Sequence, residues 1–113
     1  MTLKEIGSMV KVLTFINDFK KGYWDELESV FSYGYCYWFA FILKERFNGT
    51  IYYLPIENHF ICLIDDKFYD ITGYLEIDTN KDLVYPWEEY RLMDDLEAQR
   101  IERDCIKKER IIE

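Results

Sequence analysis

Three residues in the middle of the chain, Cys36, His59 and Asp70, are of the types that carry out nucleophilic acyl chemistry. A cysteine attacks only as the thiolate, and the start of a helix favours that form through free N–H groups and the positive end of its dipole. Cys36 follows Gly34-Tyr35, where the chain can turn tightly, and opens an apolar run that reads as a helix over residues 36–47. Its own backbone N–H would then face an oxyanion formed at the thiol. His59 is the only histidine, and it opens an apolar strand rather than sitting in a polar stretch.

The hairpin that follows decides whether Asp70 can serve that histidine. Asp65-Asp66 reads as its turn, between strands at 59–64 and 67–71. With a two-residue turn Ile64 pairs with Lys67, Cys62 with Tyr69, Ile61 with Asp70 and His59 with Thr72. Side chains alternate along a strand and cross-strand partners share a face. His59 and Asp70 then become diagonal neighbours on one face, roughly 7–8 Å apart at the backbone. An aspartate there can hold the imidazole tautomer and stabilise the imidazolium. A turn of three residues would put the two on opposite faces.

The other cysteines fit this chemistry poorly. Cys62 lies an odd number of residues from His59, faces away from it and reads as core. Cys105 reads as packing in a charged C-terminal helix. A zinc site built from Cys36, His59, Cys62 and Cys105 is disfavoured, because no pair has metal-ligand spacing. The chain has no glycine-rich phosphate loop and no basic patch with interleaved aromatics. No metal and no cofactor are expected.

Composition narrows the classes further. With 113 residues, 50 % apolar and 32 % charged, the chain reads as one globular domain over 1–113. A formal net charge of −8 repels nucleic-acid phosphates, so direct nucleic-acid binding is not expected, whereas basic partners are electrostatically favoured. Residues 76–97 hold eight acids against Lys81 and Arg91. Within that segment Glu88, Glu89, Asp94 and Asp95 are the candidate contact residues for a basic protein. An odd number of widely spaced cysteines without CxxC argues against a disulfide framework. The N-terminus has no signal-type apolar stretch and no run approaches membrane-span length, so a reduced, cytoplasmic protein is expected.

The elements that must position these residues follow from periodicity. Leu3, Ile6, Val10, Leu13 and Ile16 recur at the helical period over residues 2–20, with Thr2 and Glu5 in a capping-box pattern and Gly22 suited to the stop. Residues 23–31 read as a second short helix. The helix at 36–47 is apolar almost all round and reads as central and buried. Residues 50–54 read as a strand ended by Pro55, and a further short strand is expected around 74–77. Pro86 suits the first turn of a helix through Tyr90 and Met93, and Asp94 or Asp95 restarts a helix carrying Leu96, Ile101 and Cys105. The expected class is α+β, with N-terminal helices and a central cysteine-bearing helix packed on a small antiparallel sheet, followed by a C-terminal helix.

A cysteine at a helix start, then a histidine at a strand start, then an aspartate on the next strand resembles the papain-like and transglutaminase-like cysteine hydrolases. The matching text is Tyr33-Gly34-Tyr35-Cys36-Tyr37-Trp38-Phe39-Ala40, Asn58-His59-Phe60 and Phe68-Tyr69-Asp70-Ile71-Thr72-Gly73, about a third of the chain. The resemblance implies Cys36 as nucleophile, His59 as general base and acid, and Asp70 as orienter. A thioester on Cys36 would then transfer or hydrolyse an amide, peptide or isopeptide bond of a protein or peptide substrate. Tyr33, Tyr35, Tyr37 and Trp38 would line the cleft. Two departures stand out: the Cys-to-His interval is short, and no glutamine precedes Cys36 to complete an oxyanion hole. The other reading is a non-catalytic acidic binding protein, such as a phage-type inhibitor that occupies a basic, nucleic-acid-binding groove of its partner.

Overall fold

The structure, a computed structural model, describes residues 3–21 and 36–103. The described residues form an α+β domain of four helices and a five-stranded antiparallel sheet, with a C-terminal helix. The helix expected over 23–31, Tyr33, Tyr35 and the end of the chain with Cys105 lie outside the described residues. Among the described residues no helix is long and apolar enough to cross a membrane.

Helix α1 spans Leu3–Lys21. Its core-facing side differs from the stripe expected of it. Val12 and Ile16 are buried, and Met9, Leu13, Phe15 and Phe19 pack around them, whereas Leu3, Ile6 and Val10 are 88 %, 43 % and 57 % exposed. The rings decide the outcome, because they bury the most apolar area per residue. Phe15 packs edge-on against Phe47 at 5.5 Å, and Phe19 meets Phe39 at 5.3 Å.

Helix α2 spans Cys36–Phe47 and buries Cys36, Phe39, Ala40 and Leu43, one stripe at helical spacing. Tyr37, Trp38, Phe41 and Ile42 are only half-buried, so the helix has one covered face rather than being enclosed all round. Asn48 closes it in the left-handed region at φ 57, and the Gly49 N–H donates to the Lys44 carbonyl at 3.1 Å. This is the bond of a Schellman ending.

The sheet consists of β1 (Thr50–Leu54), β2 (His59–Ile64), β3 (Lys67–Asp70), β4 (Gly73–Leu75) and β5 (Tyr85–Pro86). Their order is β4-β3-β2-β1-β5, with β2 in the middle. Asp65 and Asp66 form the two-residue turn at φ 47 and 67, and Ile64 pairs with Lys67 and Cys62 with Tyr69, the expected register. β2 is covered on both sides. Phe60, Cys62 and Ile64 join the core with Phe39, Ala40 and Leu43 of α2. Ile61 packs with Leu54 and Phe68, and Ile77 and Val84 close over them.

Strand β4 starts at Gly73 rather than at residue 74 and ends at Leu75. β5 was not expected. Its proline sits where a strand edge tolerates a missing donor, opposite Tyr52 of β1. Pro86 also precedes α3 (Trp87–Met93), as its N-cap at φ −55. Helix α4 (Asp95–Ile101) is capped by Asp94, which accepts from the Glu97 N–H at 3.1 Å, and it buries Ala98 and Ile101.

Gly49 lets α2 pass directly into β1. A Cβ at this position would lie 2.6 Å from Cys62 Sγ, 2.7 Å from the Leu63 carbonyl oxygen and 2.9 Å from Ile64 Cγ1. Gly49→Ala is therefore expected to destabilise the protein by about 2 kcal/mol, measured by denaturant unfolding.

Candidate active site

Cys36 is the first residue of α2, His59 the first of β2 and Asp70 the last of β3. Each of the three stands at an element end, so they meet at one end of the sheet rather than inside it. His59 Nε2 donates to Asp70 Oδ2 at 2.9 Å, with the two side chains 15 % and 11 % exposed. The Cys36 thiol lies near enough to the His59 side chain to raise its pKa. With Nε2 occupied by Asp70, Nδ1 is the ring nitrogen that remains for the sulfur. Cys36 is 6 % exposed.

Asp70 is itself held. The Thr72 N–H donates to its Oδ1 at 2.8 Å, and the Thr72 hydroxyl donates to the same oxygen. One carboxylate oxygen thus faces the imidazole, and the other is saturated by the turn after β3. Sequence reasoning did not assign Thr72 this role, although an Asp-x-Thr run leaving a strand is an Asx-turn signal.

The electrostatics follow from burial opposed by these partners. Burial alone would lower the pKa of His59. Hydrogen bonds to Asp70 and Cys36, and their charges, outweigh it and raise the imidazole to about 9. Burial would likewise raise Asp70, but the hydrogen bonds from His59 and Thr72 outweigh it, and the carboxyl ends below its ordinary value. Burial pushes the Cys62 thiol up to about 12, so at neutral pH Cys62 is a protonated core residue.

The remaining sequence candidates are dispersed. Tyr37 packs edge-on against Phe60, the neighbour of His59, at 5.1 Å, and burial together with Glu88 raises its hydroxyl pKa. Trp38 packs against Tyr37 and Phe41, and its buried Nε1 has no hydrogen-bond partner among the described residues. Glu88 is exposed and 3.6 Å from Arg91, and Glu89 is exposed. Asp94 caps α4, and Asp95 accepts from Gln99 Nε2 at 3.0 Å. A groove of about 630 Å³ runs between Phe15, Phe41, Ile42 and Phe47, and none of Cys36, His59 and Asp70 lines it. Among the described residues no group of three or more His, Cys, Asp or Glu side chains could hold a metal ion.

The description "Phage YunG-like protein" matches residues 12–111, nearly the whole chain and every residue of the site. The chain belongs to the phage YunG-like family. No curated protein and no solved structure matches it. In this phage YunG-like chain the site therefore has to be read from its own geometry.

The two shifts have opposite pH signatures. His59, raised to about 9 from 6.5, contributes stability that is complete below 6.5 and is lost as pH rises through about 9. Asp70, lowered from 3.8, contributes above that value and loses its contribution as pH falls through the lowered one. The pair is thus fully stabilising between 3.8 and 6.5. As the only histidine, His59 should give one titrating imidazole signal by NMR, with its midpoint near 9. Asp70→Asn should lower that midpoint by about one unit or more and flatten the loss of stability on the alkaline side.

Proposed function

We propose that the chain is a cysteine-dependent hydrolase or acyl transferase acting on an amide, peptide or isopeptide bond of a protein or peptide. The observation that carries this is the His59–Asp70 hydrogen bond, with the Cys36 thiol at a helix start within reach of the same imidazole. The order of Cys36, His59 and Asp70 resembles the papain-like and transglutaminase-like hydrolases, and the α+β architecture is compatible with them.

In the first half-reaction His59 holds the proton given up by Cys36, and Sγ attacks the substrate carbonyl carbon. The carbonyl π electrons move to oxygen, and the oxyanion faces the Cys36 N–H at the start of α2. His59 passes its proton to the leaving amine, the C–N bond breaks and a thioester remains on Cys36. Water or an acceptor amine then attacks the thioester with His59 as base, and the acyl group leaves with Cys36 restored. Asp70 stays ionised throughout and orients the ring. A reducing compartment such as the cytoplasm suits a free nucleophilic thiol.

One set of observations favours the second reading, a non-catalytic acidic binding protein. The family description is that of a phage protein. Glu88, Glu89 and Asp95 are exposed beside Leu92, Met93 and Leu96, which are 84 %, 67 % and 80 % exposed. That mixture suits a basic partner with apolar contacts.

Alkylation by iodoacetamide separates the two readings. At pH 7 Cys36 should react about tenfold or more faster than Cys62 and Cys105, and His59→Ala should remove the difference. Equal reactivity of the three thiols in the wild-type protein would sink the catalytic reading. The binding reading instead expects the biological effect to survive Cys36→Ala and to be lost on charge reversal at Glu88, Glu89, Asp94 and Asp95.

A further inference from the structure

Asn58 stands immediately before His59, at the end of the short loop that joins β1 to β2. It has left-handed backbone at φ 52, a region that few residues other than glycine and asparagine adopt readily. Its Oδ1 accepts from the Tyr53 hydroxyl at 2.5 Å. Tyr53 is 1 % exposed, its ring packed against Phe60 at 4.9 Å and Trp87 at 5.5 Å. Arg100 of α4 lies near enough to Tyr53 for the two to interact. Glu97 holds the Arg100 guanidinium through Nε at 3.1 Å and a terminal nitrogen at 2.6 Å.

Donor bookkeeping gives the Tyr53–Asn58 contact a direction. The Tyr53 hydroxyl gives its single proton to Asn58. Oδ1 rather than Nδ2 of the amide therefore faces Tyr53. The contact runs from Tyr53 to Asn58 and ends on the peptide bond that leads into His59.

We infer that Tyr53 is a positioning residue for the His59 imidazole: its hydroxyl fixes the left-handed Asn58 and so sets where His59 enters β2 relative to Asp70 and Cys36. The inference deepens the cysteine-hydrolase reading and rests on it. The ring of Tyr53 packs against Phe60 and Trp87 whether or not the hydroxyl is present, so the hydroxyl is a separable part of the residue.

The test compares the wild-type protein with Tyr53→Phe and with Asn58→Gly. The second keeps the left-handed backbone but deletes the amide, and it lies in an exposed loop, so it serves if Tyr53→Phe does not fold. Two quantities are followed against pH: the single histidine signal by NMR and the rate of Cys36 alkylation by iodoacetamide. Both variants should retain the wild-type circular dichroism, move the histidine midpoint by about one unit and slow Cys36 alkylation at pH 7 about tenfold. If Cys36 is selectively reactive in the wild type and folded Tyr53→Phe keeps both pH profiles, the positioning role is overturned and the hydrolase reading stands. An effect of Asn58→Gly alone, with Tyr53→Phe folded and unchanged, overturns the part assigned to Tyr53. If Cys36 is no more reactive than Cys62 and Cys105 in the wild type, both readings fall together.

Discussion

The turn at Asp65-Asp66 is the constraint on which the rest of the site depends. A strand presents its side chains to alternate faces, so one residue more in this turn would reverse every side chain of β3 relative to β2. Asp70 would then leave the face of His59, and Phe68 would leave Ile61. The turn uses two consecutive residues in the left-handed region, neither of them glycine. Aspartate tolerates that region better than most residues do, and the Ser8 hydroxyl of α1 donates to Asp65 Oδ2. The first helix thus steadies the turn that sets the register of the hairpin.

The site is an acid held inside the protein by its partners. Asp70 is the one charged side chain that is buried among the described residues. An ion so placed is tolerated only when its oxygens are satisfied. Here His59 supplies one donor and Thr72 two, enough to overcome the burial that would otherwise neutralise the carboxyl. The same contacts make the imidazole more basic. Two groups that burial alone would discharge are instead charged together.

Much of this arrangement was legible in the chain. The helix at 36–47, the strands at 50–54 and 59–64, the two-residue turn and the parity between His59 and Asp70 follow from local pattern, and all are present. The misreadings have a common cause. In α1, apolar residues occupy more than one stripe, and periodicity alone does not say which stripe meets the core. The side carrying Phe15 and Phe19 does so because Phe39 and Phe47 are there to receive it. In α2, four apolar residues remain half-exposed because the sheet covers one side of the helix only. Strand β5 was missed because two residues ending in proline carry no strand signal without the free edge of β1 beside them.

By itself the sequence determined the kinds of element, their order and which residues of the hairpin share a face. These are consequences of backbone periodicity and turn length, which act over a few residues. Only the tertiary structure brought Cys36 within reach of His59, because that contact depends on how α2 packs across β2. It alone showed Thr72 locking the second oxygen of Asp70. The approach of Cys36 to His59 joins parts of the chain that no local pattern relates, and packing of the whole domain is what sets it.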